Sequence, residues 1–217
     1  MKLSGISILN NQDVSLLGQK FLINGDLQVP PASEYKLFSQ EQISIFCVKN
    51  AFYGLPTVEL VQWLQHEVGD RPAIEIGAGN GALGRALGIP MSDSFLQDQP
   101  EVKAYYESLQ QPTIRYGRDV EKLDYKKAIQ KYKPSVVIGN WVTQLWRDHS
   151  DDGNASMHGL DEEWILKNVP CYIHVGNTKT HGRKRILKNP HHQYKFEWLF
   201  SRSVAADECV IYVWDRK

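Results

Sequence analysis

Apolar positions fall into distinct registers along the chain. Across residues 39–69 they recur at three-to-four-residue spacing, through Leu60, Val61, Trp63, Leu64 and Val68, which predicts amphipathic helix with Gly69 placed to stop it. Tyr53-Gly54 and Pro56 punctuate that segment into two helices. Upstream, residues 19–30 set Asn24-Gly25 between two short apolar runs. Asn-Gly supplies the positive φ angles of a two-residue hairpin turn, so a β-hairpin is predicted there. After Arg71-Pro72 the pattern changes. Ala73-Ile74-Glu75-Ile76, residues 134–139 and residues 170–176 are short, nearly continuous apolar runs bounded by Pro or Gly and separated by helical periodicity, the signature of a parallel sheet covered on both faces. Weaker strands fit at 88–91 and 113–116. Residues 194–203 and 208–214 are joined by a turn too short for a crossover, so they must pair antiparallel. The expected organisation is a hairpin and helical extension over 1–70, packed on an α/β domain over 71–217.

Composition narrows this modestly. A chain of 217 residues with 42% hydrophobic content fits one domain. Lys and Arg together number 25, as do Asp and Glu, and a net charge of zero argues against a sequence-blind nucleic-acid coat. No apolar run approaches the ~20 residues that cross a bilayer, and the N-terminus lacks a secretory pattern, so a cytoplasmic location is expected. Cys47, Cys171 and Cys209 are odd in number and widely spaced, hence expected to be buried thiols rather than a disulfide framework or zinc site.

The chemistry concentrates in residues 73–84, a strand entering a glycine-rich turn and then a helix. Gly77, Gly79 and Gly81 let backbone approach a nucleoside with no Cβ in the way. Gly77-x-Gly79-x-x-Ala82 also satisfies the looser dinucleotide pattern, so the glycines alone admit a nicotinamide or flavin enzyme. Glu75, an acid near the end of an apolar strand, needs partners that the turn's amides can supply.

Ile74-Glu75-Ile76-Gly77-x-Gly79-x-Gly81 resembles the first motif of the class I S-adenosylmethionine-dependent methyltransferases. The resemblance runs from about Ala73 to the C-terminus and implies a Rossmann-like seven-stranded sheet of order 3-2-1-4-5-7-6 with the seventh strand antiparallel. It implies S-adenosyl-L-methionine as cofactor, held by Glu75, Gly77, Gly79, Asn80 and Gly81. Asp93, with Asp98 as fallback, would meet the ribose hydroxyls, and Asp119 the adenine amino group. Asn140 and Trp141 stand at the tip of the fourth strand beside the glycine turn, and Tyr53 of the extension would close over the cofactor. The Asn-Pro-Pro-Tyr or Asp-Pro-Pro-Tyr signature of DNA-base amino-methyltransferases is absent.

Methyl transfer by in-line displacement is chiefly a matter of alignment, so no catalytic residue is singled out. His149, His158 and His181 are the candidate bases by position. An acidic loop with Asp148, Asp151, Asp152, Asp161, Glu162 and Glu163 would shield a cation or hold magnesium. A basic one with Lys179, Arg183, Lys184, Arg185 and Lys188 would recognise phosphate or an acidic substrate. The acceptor is unidentified: a small molecule is favoured and nucleic acid stays open. The alternative is a module that binds the cofactor without transferring its methyl group, and the hairpin is a candidate arm toward a second chain.

Overall fold

The computed structural model describes residues 13–147 and 155–216. Its central sheet has seven strands: β1 Ala73–Ile76, β2 Met91–Asp93, β3 Glu121–Lys122, β4 Val136–Asn140, β5 Cys171–Asn177, β6 His192–Tyr194 and β7 Cys209–Asp215. Their spatial order is β3-β2-β1-β4-β5-β7-β6. β1 to β5 run parallel, whereas β7 lies antiparallel between β5 and β6, with Ile173 opposite Val213 and His192 also opposite Val213. This is the topology implied by the resemblance.

Both faces are covered, which is why the central strands are nearly continuous apolar runs, interrupted by the buried Glu75 and His174. On one face α3 (Val58–Val68) and α4 (Ala82–Leu87) pack Leu60, Leu64 and Leu83 against Val136, Ile138, Ile173 and Ile211. On the other, α6 (Tyr125–Tyr132) and α7 (Glu162–Asn168) bring Ile129 and Ile165 against Ile74, Val137, Val210 and Trp214. A third cluster belongs to the N-terminal extension, where α1 (Ser15–Phe21) and α2 (Gln40–Lys49) bury Phe21, Phe46 and Tyr35 and reach Ala82 at the start of α4. The Asn24-Gly25 hairpin forms as predicted, with φ of 54° and 83° at the turn and Leu22 opposite Leu27. A capping box between Ser39 and Gln42 opens α2, Thr57 caps α3, and Gly69, at φ 58°, ends it. α5 is Pro100–Ser108.

Three strands differ from expectation. The second begins later, at Met91, because Gly88 adopts φ 68° to close α4 and Pro90 feeds its carbonyl to Glu75 N. The third is not 113–116: Ile114 N donates instead to the Gln97 side chain, and Glu121–Lys122 pairs with Ser92 and Asp93. The run 194–203 is not one strand. From the last residue of β6 onward, Tyr194, Phe196 and Trp198 stack in series, with Trp63 of α3 against the first two. The chain then turns, and Phe200–Ser201 pairs with Gly54–Leu55 of the extension. The three cysteines are buried and free, and among the described residues no helix is long and apolar enough to cross a membrane.

Candidate active site

The site is built where β1 ends. Its apolar run is broken by Glu75, which is 2% exposed and whose Oε2 accepts the Gly84 N–H at 2.7 Å. Burial is the larger influence on this carboxyl and pushes its pKa from 4.5 up to about 8, against the pull of the Gly84 amide. Glu75 therefore carries its proton at neutral pH. The turn itself holds three glycines, Gly77, Gly79 and Gly81, in left-handed backbone, and at two of them space is short as well. Gly77 has φ 61°, and a Cβ there would stand 2.8 Å from Val142 Cγ1; Gly81 has φ 74°, and a Cβ would stand 2.8 Å from Val120 Cγ2. Between Gly79 and Gly81, the Asn80 side chain accepts the Ala82 N–H at 2.8 Å.

A cleft of about 690 Å³ opens above this turn, at the carboxyl ends of β1, β2 and β4, where open α/β sheets bind ligands. Glu75, Gly77, Gly79, Asn80 and Asp93 line its floor. Asp93 accepts the Gly79 N–H on Oδ2 at 3.0 Å and the Phe95 N–H on Oδ1 at 2.9 Å, so it ties β2 to the glycine turn. Burial raises its pKa and these amides oppose the rise. Each oxygen keeps a second lone pair.

One wall was not foreseen. Gln97 is buried and spends its whole amide: Oε1 accepts the Ile114 N–H at 2.8 Å, while Nε2 reaches the hydroxyls of Tyr53 and Tyr106 at 3.3 and 3.2 Å. Tyr116 stacks on Phe95 at 4.0 Å and accepts the Gln97 N–H. Tyr53 lines the cleft and is held from both sides, since its carbonyl also accepts the Arg202 N–H at 2.9 Å. Gly54 follows at such close range that a Cβ would sit 2.7 Å from Asn140 Oδ1 and 2.8 Å from Trp141 Cδ1. Asn140 Oδ1 is buried without a hydrogen-bond partner among the described residues. Trp141 takes φ 59°, donates its N–H to Val175 O at 2.8 Å and meets His181 edge-on at 5.1 Å.

Beneath this tip lies a buried ion pair. Lys184 Nζ donates to both oxygens of Glu162 at 2.7 Å and to Val142 O at 2.9 Å, and Tyr172 OH donates to Glu162 at 2.7 Å. Lys184 and Glu162 are each 2% exposed at the side chain. The pair fastens the loops after β4 and β5, and so fixes Val142 against Gly77.

Other sequence candidates fall elsewhere. Asp119 does not line the cleft: both its oxygens bind Arg85, at 2.6 and 2.8 Å, which holds its carboxyl below the usual range. Gly81 starts α4 rather than lining the cleft, and Asp98 pairs with Lys103 at 3.2 Å. His158 lines the cleft, exposed; His181 is buried, its Nδ1 accepting the Asn177 N–H at 3.0 Å, and burial with Lys184 nearby lowers its pKa to about 3. His149, Asp148, Asp151 and Asp152 lie outside the described residues. Several charges of the two loops are taken up in ion pairs: Glu162 binds Lys184, Arg147 binds Asp161 and Glu163 at 2.8 Å, and Lys179 pairs with Glu208 outside them. Among the described residues no cluster of three or more His, Cys, Asp or Glu is placed to hold a metal.

No protein-family model and no curated protein matches the chain. Solved structures do. A Thermoplasma acidophilum protein is 14% identical over 81% of this chain and 95% of its own, with a TM-score of 0.37. The hMettl16 catalytic domain, solved with the MAT2A 3′UTR hairpin 6, is 14% identical over 96% and 94%, with a TM-score of 0.37. The Pyrococcus abyssi tRNA (uracil-54, C5)-methyltransferase, solved with S-adenosyl-L-homocysteine, is 12% identical over 72% of this chain and 36% of its own, with a TM-score of 0.36. The expectation of a small-molecule acceptor gains nothing from them. Strand order, the antiparallel β7 and the glycine turn after β1 together give this chain the Rossmann-like fold of the class I S-adenosylmethionine-dependent methyltransferases.

Proposed function

We propose that the cleft binds S-adenosylmethionine and that the chain is an S-adenosylmethionine-dependent methyltransferase. The observation that carries this reading is the open volume of about 690 Å³ directly over Gly77, Gly79 and Asp93, a size in the range of cofactor sites. The residues fit the group. Gly77 and Gly79 present bare backbone to the cleft, Asp93 retains acceptor capacity for two hydroxyls, and Leu96 with Ile114 offers an apolar flank to a base. The orphaned Asn140 oxygen is an acceptor for an amino or ammonium donor. Glu75, protonated, holds the turn through Gly84 and adds no charge to the floor.

When bound, S-adenosylmethionine supplies an electrophilic methyl group on a sulfonium. The chain's part is alignment: Asn140 and Trp141 shape the space beyond the turn, and Tyr53 with Gly54 closes it from above. Alignment of two reactants alone is worth ~7–11 kcal/mol of barrier. His158 is the histidine at hand for an acceptor that must lose a proton. Incubation with methyl-labelled S-adenosylmethionine and a cell extract tests the transfer. Label in an acceptor fraction is expected; retention of all label by the cofactor, with binding intact, would instead make the chain a binding module.

A further inference from the structure

A second pocket of about 330 Å³ adjoins the cleft and shares Tyr53, Trp141 and Thr143 with it; His181, Arg202 and Ser203 complete its walls together with Thr180. We propose that this pocket holds an anionic group of the methyl acceptor, a phosphate or carboxylate, with the Arg202 guanidinium as its cationic partner. The inference rests on reading the adjoining cleft as the cofactor site.

Arg202 is built into place. Its N–H donates to Tyr53 O at 2.9 Å, its carbonyl accepts from Ser44 Oγ at 2.7 Å, and Gln40 Nε2 holds the carbonyls of Ser201 and Ser203 at 3.1 and 2.6 Å. The guanidinium carbon lies 4.7 Å from the centre of the Tyr53 ring, a stack that orders the side chain without using up its hydrogen bonds. Among the described residues no carboxylate lies within 4.0 Å of it, whereas Arg71 and Arg85 have Asp215 and Asp119. No acid lines the pocket. A pre-ordered guanidinium fork without an anion is a ready bidentate site for carboxylate or phosphate. On the far wall His181 is neutral, and because Nδ1 accepts from Asn177 the proton sits on Nε2, a second donor. The location also suits the acceptor: Tyr53 and Trp141 form the partition, so a molecule anchored at Arg202 reaches past them to the methyl end of the cleft.

The test is calorimetry on the full chain loaded with S-adenosylhomocysteine. Phenyl phosphate and benzoate are titrated separately, with benzyl alcohol as the neutral comparison. At least one anion is expected to bind saturably, the alcohol not, and Arg202→Gln is expected to weaken the anion about tenfold or more, with Arg202→Lys between. Which anion binds tells phosphate from carboxylate. S-adenosylhomocysteine affinity should stay within about twofold in Arg202→Gln, which also certifies its fold. The proposal is overturned if neither anion binds, if Arg202→Gln binds them as tightly, or if that variant loses S-adenosylhomocysteine instead, assigning Arg202 to the cofactor's carboxylate. If the wild type fails to bind S-adenosylhomocysteine, the cofactor reading falls, and the anion titrations on unliganded protein still decide the pocket.

Discussion

Replacing Glu75 by Gln should stabilise the protein at neutral pH, increasingly so as pH rises. The carboxyl is buried, and its pKa stands at about 8 against 4.5 when exposed. Between those values the folded chain keeps a proton that the unfolded chain has released, so folding stability falls with rising pH by about 1.4 kcal/mol per unit across that window and levels off above it. At pH 7 the loss relative to acid pH is on the order of 3 kcal/mol, and above the folded pKa on the order of 5 kcal/mol. Glutamine does not ionise, and its amide oxygen can still accept the Gly84 N–H that Glu75 Oε2 now takes at 2.7 Å. The assay is urea unfolding of wild type and Glu75→Gln, followed by circular dichroism, at about pH 5.5, 7 and 8.5. Taking the difference between the two proteins removes other titrating groups, notably Asp93, which acts in the same direction, and the buried His174 and His181, which act in the opposite one. The difference should widen by about 2 kcal/mol from the first pH to the second. An offset that does not change with pH would refute the protonated buried acid.

Lys184→Met should destabilise by about 3–5 kcal/mol by leaving the buried Glu162 without its cation, with only the Tyr172 hydroxyl still donating to it, and the double variant with Glu162→Leu should recover much of it; equal melting of single and double variants contradicts a coupled pair. Gly77→Ala forces a side chain into left-handed backbone and against Val142, costing about 1–2 kcal/mol before the clash is counted. Adding Val142→Ala should return only the clash, as thermal melts will show; full recovery would mean the backbone angle carries no strain. His181 should stay neutral from about pH 5 upward, so its imidazole NMR shifts should be flat there; a titration midpoint near the usual histidine value would show it to be solvated.

Much of the frame was written in apolar runs. β1, β4, β5 and β7 are buried nearly end to end and bounded by Pro, Gly or Asp, which is why continuous hydrophobicity located them. β3 is Glu121–Lys122, two charged residues at the sheet edge, and no periodicity marks such a strand. β2 begins beyond Pro90 and carries Ser92, fully buried, so polarity hid it. At the site, the glycine turn and Asp93 were legible because backbone geometry and strand-end acids leave local marks. Gln97, Tyr106 and Arg202 were not, because their roles come from side-chain contacts spanning 9 to 158 residues of chain, such as Gln97 with Tyr106 and Ser44 with Arg202. Charge runs misled for the same reason. Lys184 stands in a basic stretch and Glu162 in an acidic one, yet the fold buries them against each other. Asp119 follows a turn in the expected place, but Arg85, one turn into α4, takes both its oxygens.

The proposed occupant of the space over Gly77 and Asp93 is a nucleoside-bearing sulfonium cofactor. Calorimetric titration of S-adenosylhomocysteine into the wild-type chain and into Asp93→Ala addresses it most directly. Saturable one-to-one heat with the wild type and affinity at least about tenfold weaker with the variant is the predicted outcome. No heat up to millimolar ligand, or equal binding by both proteins, would contradict it.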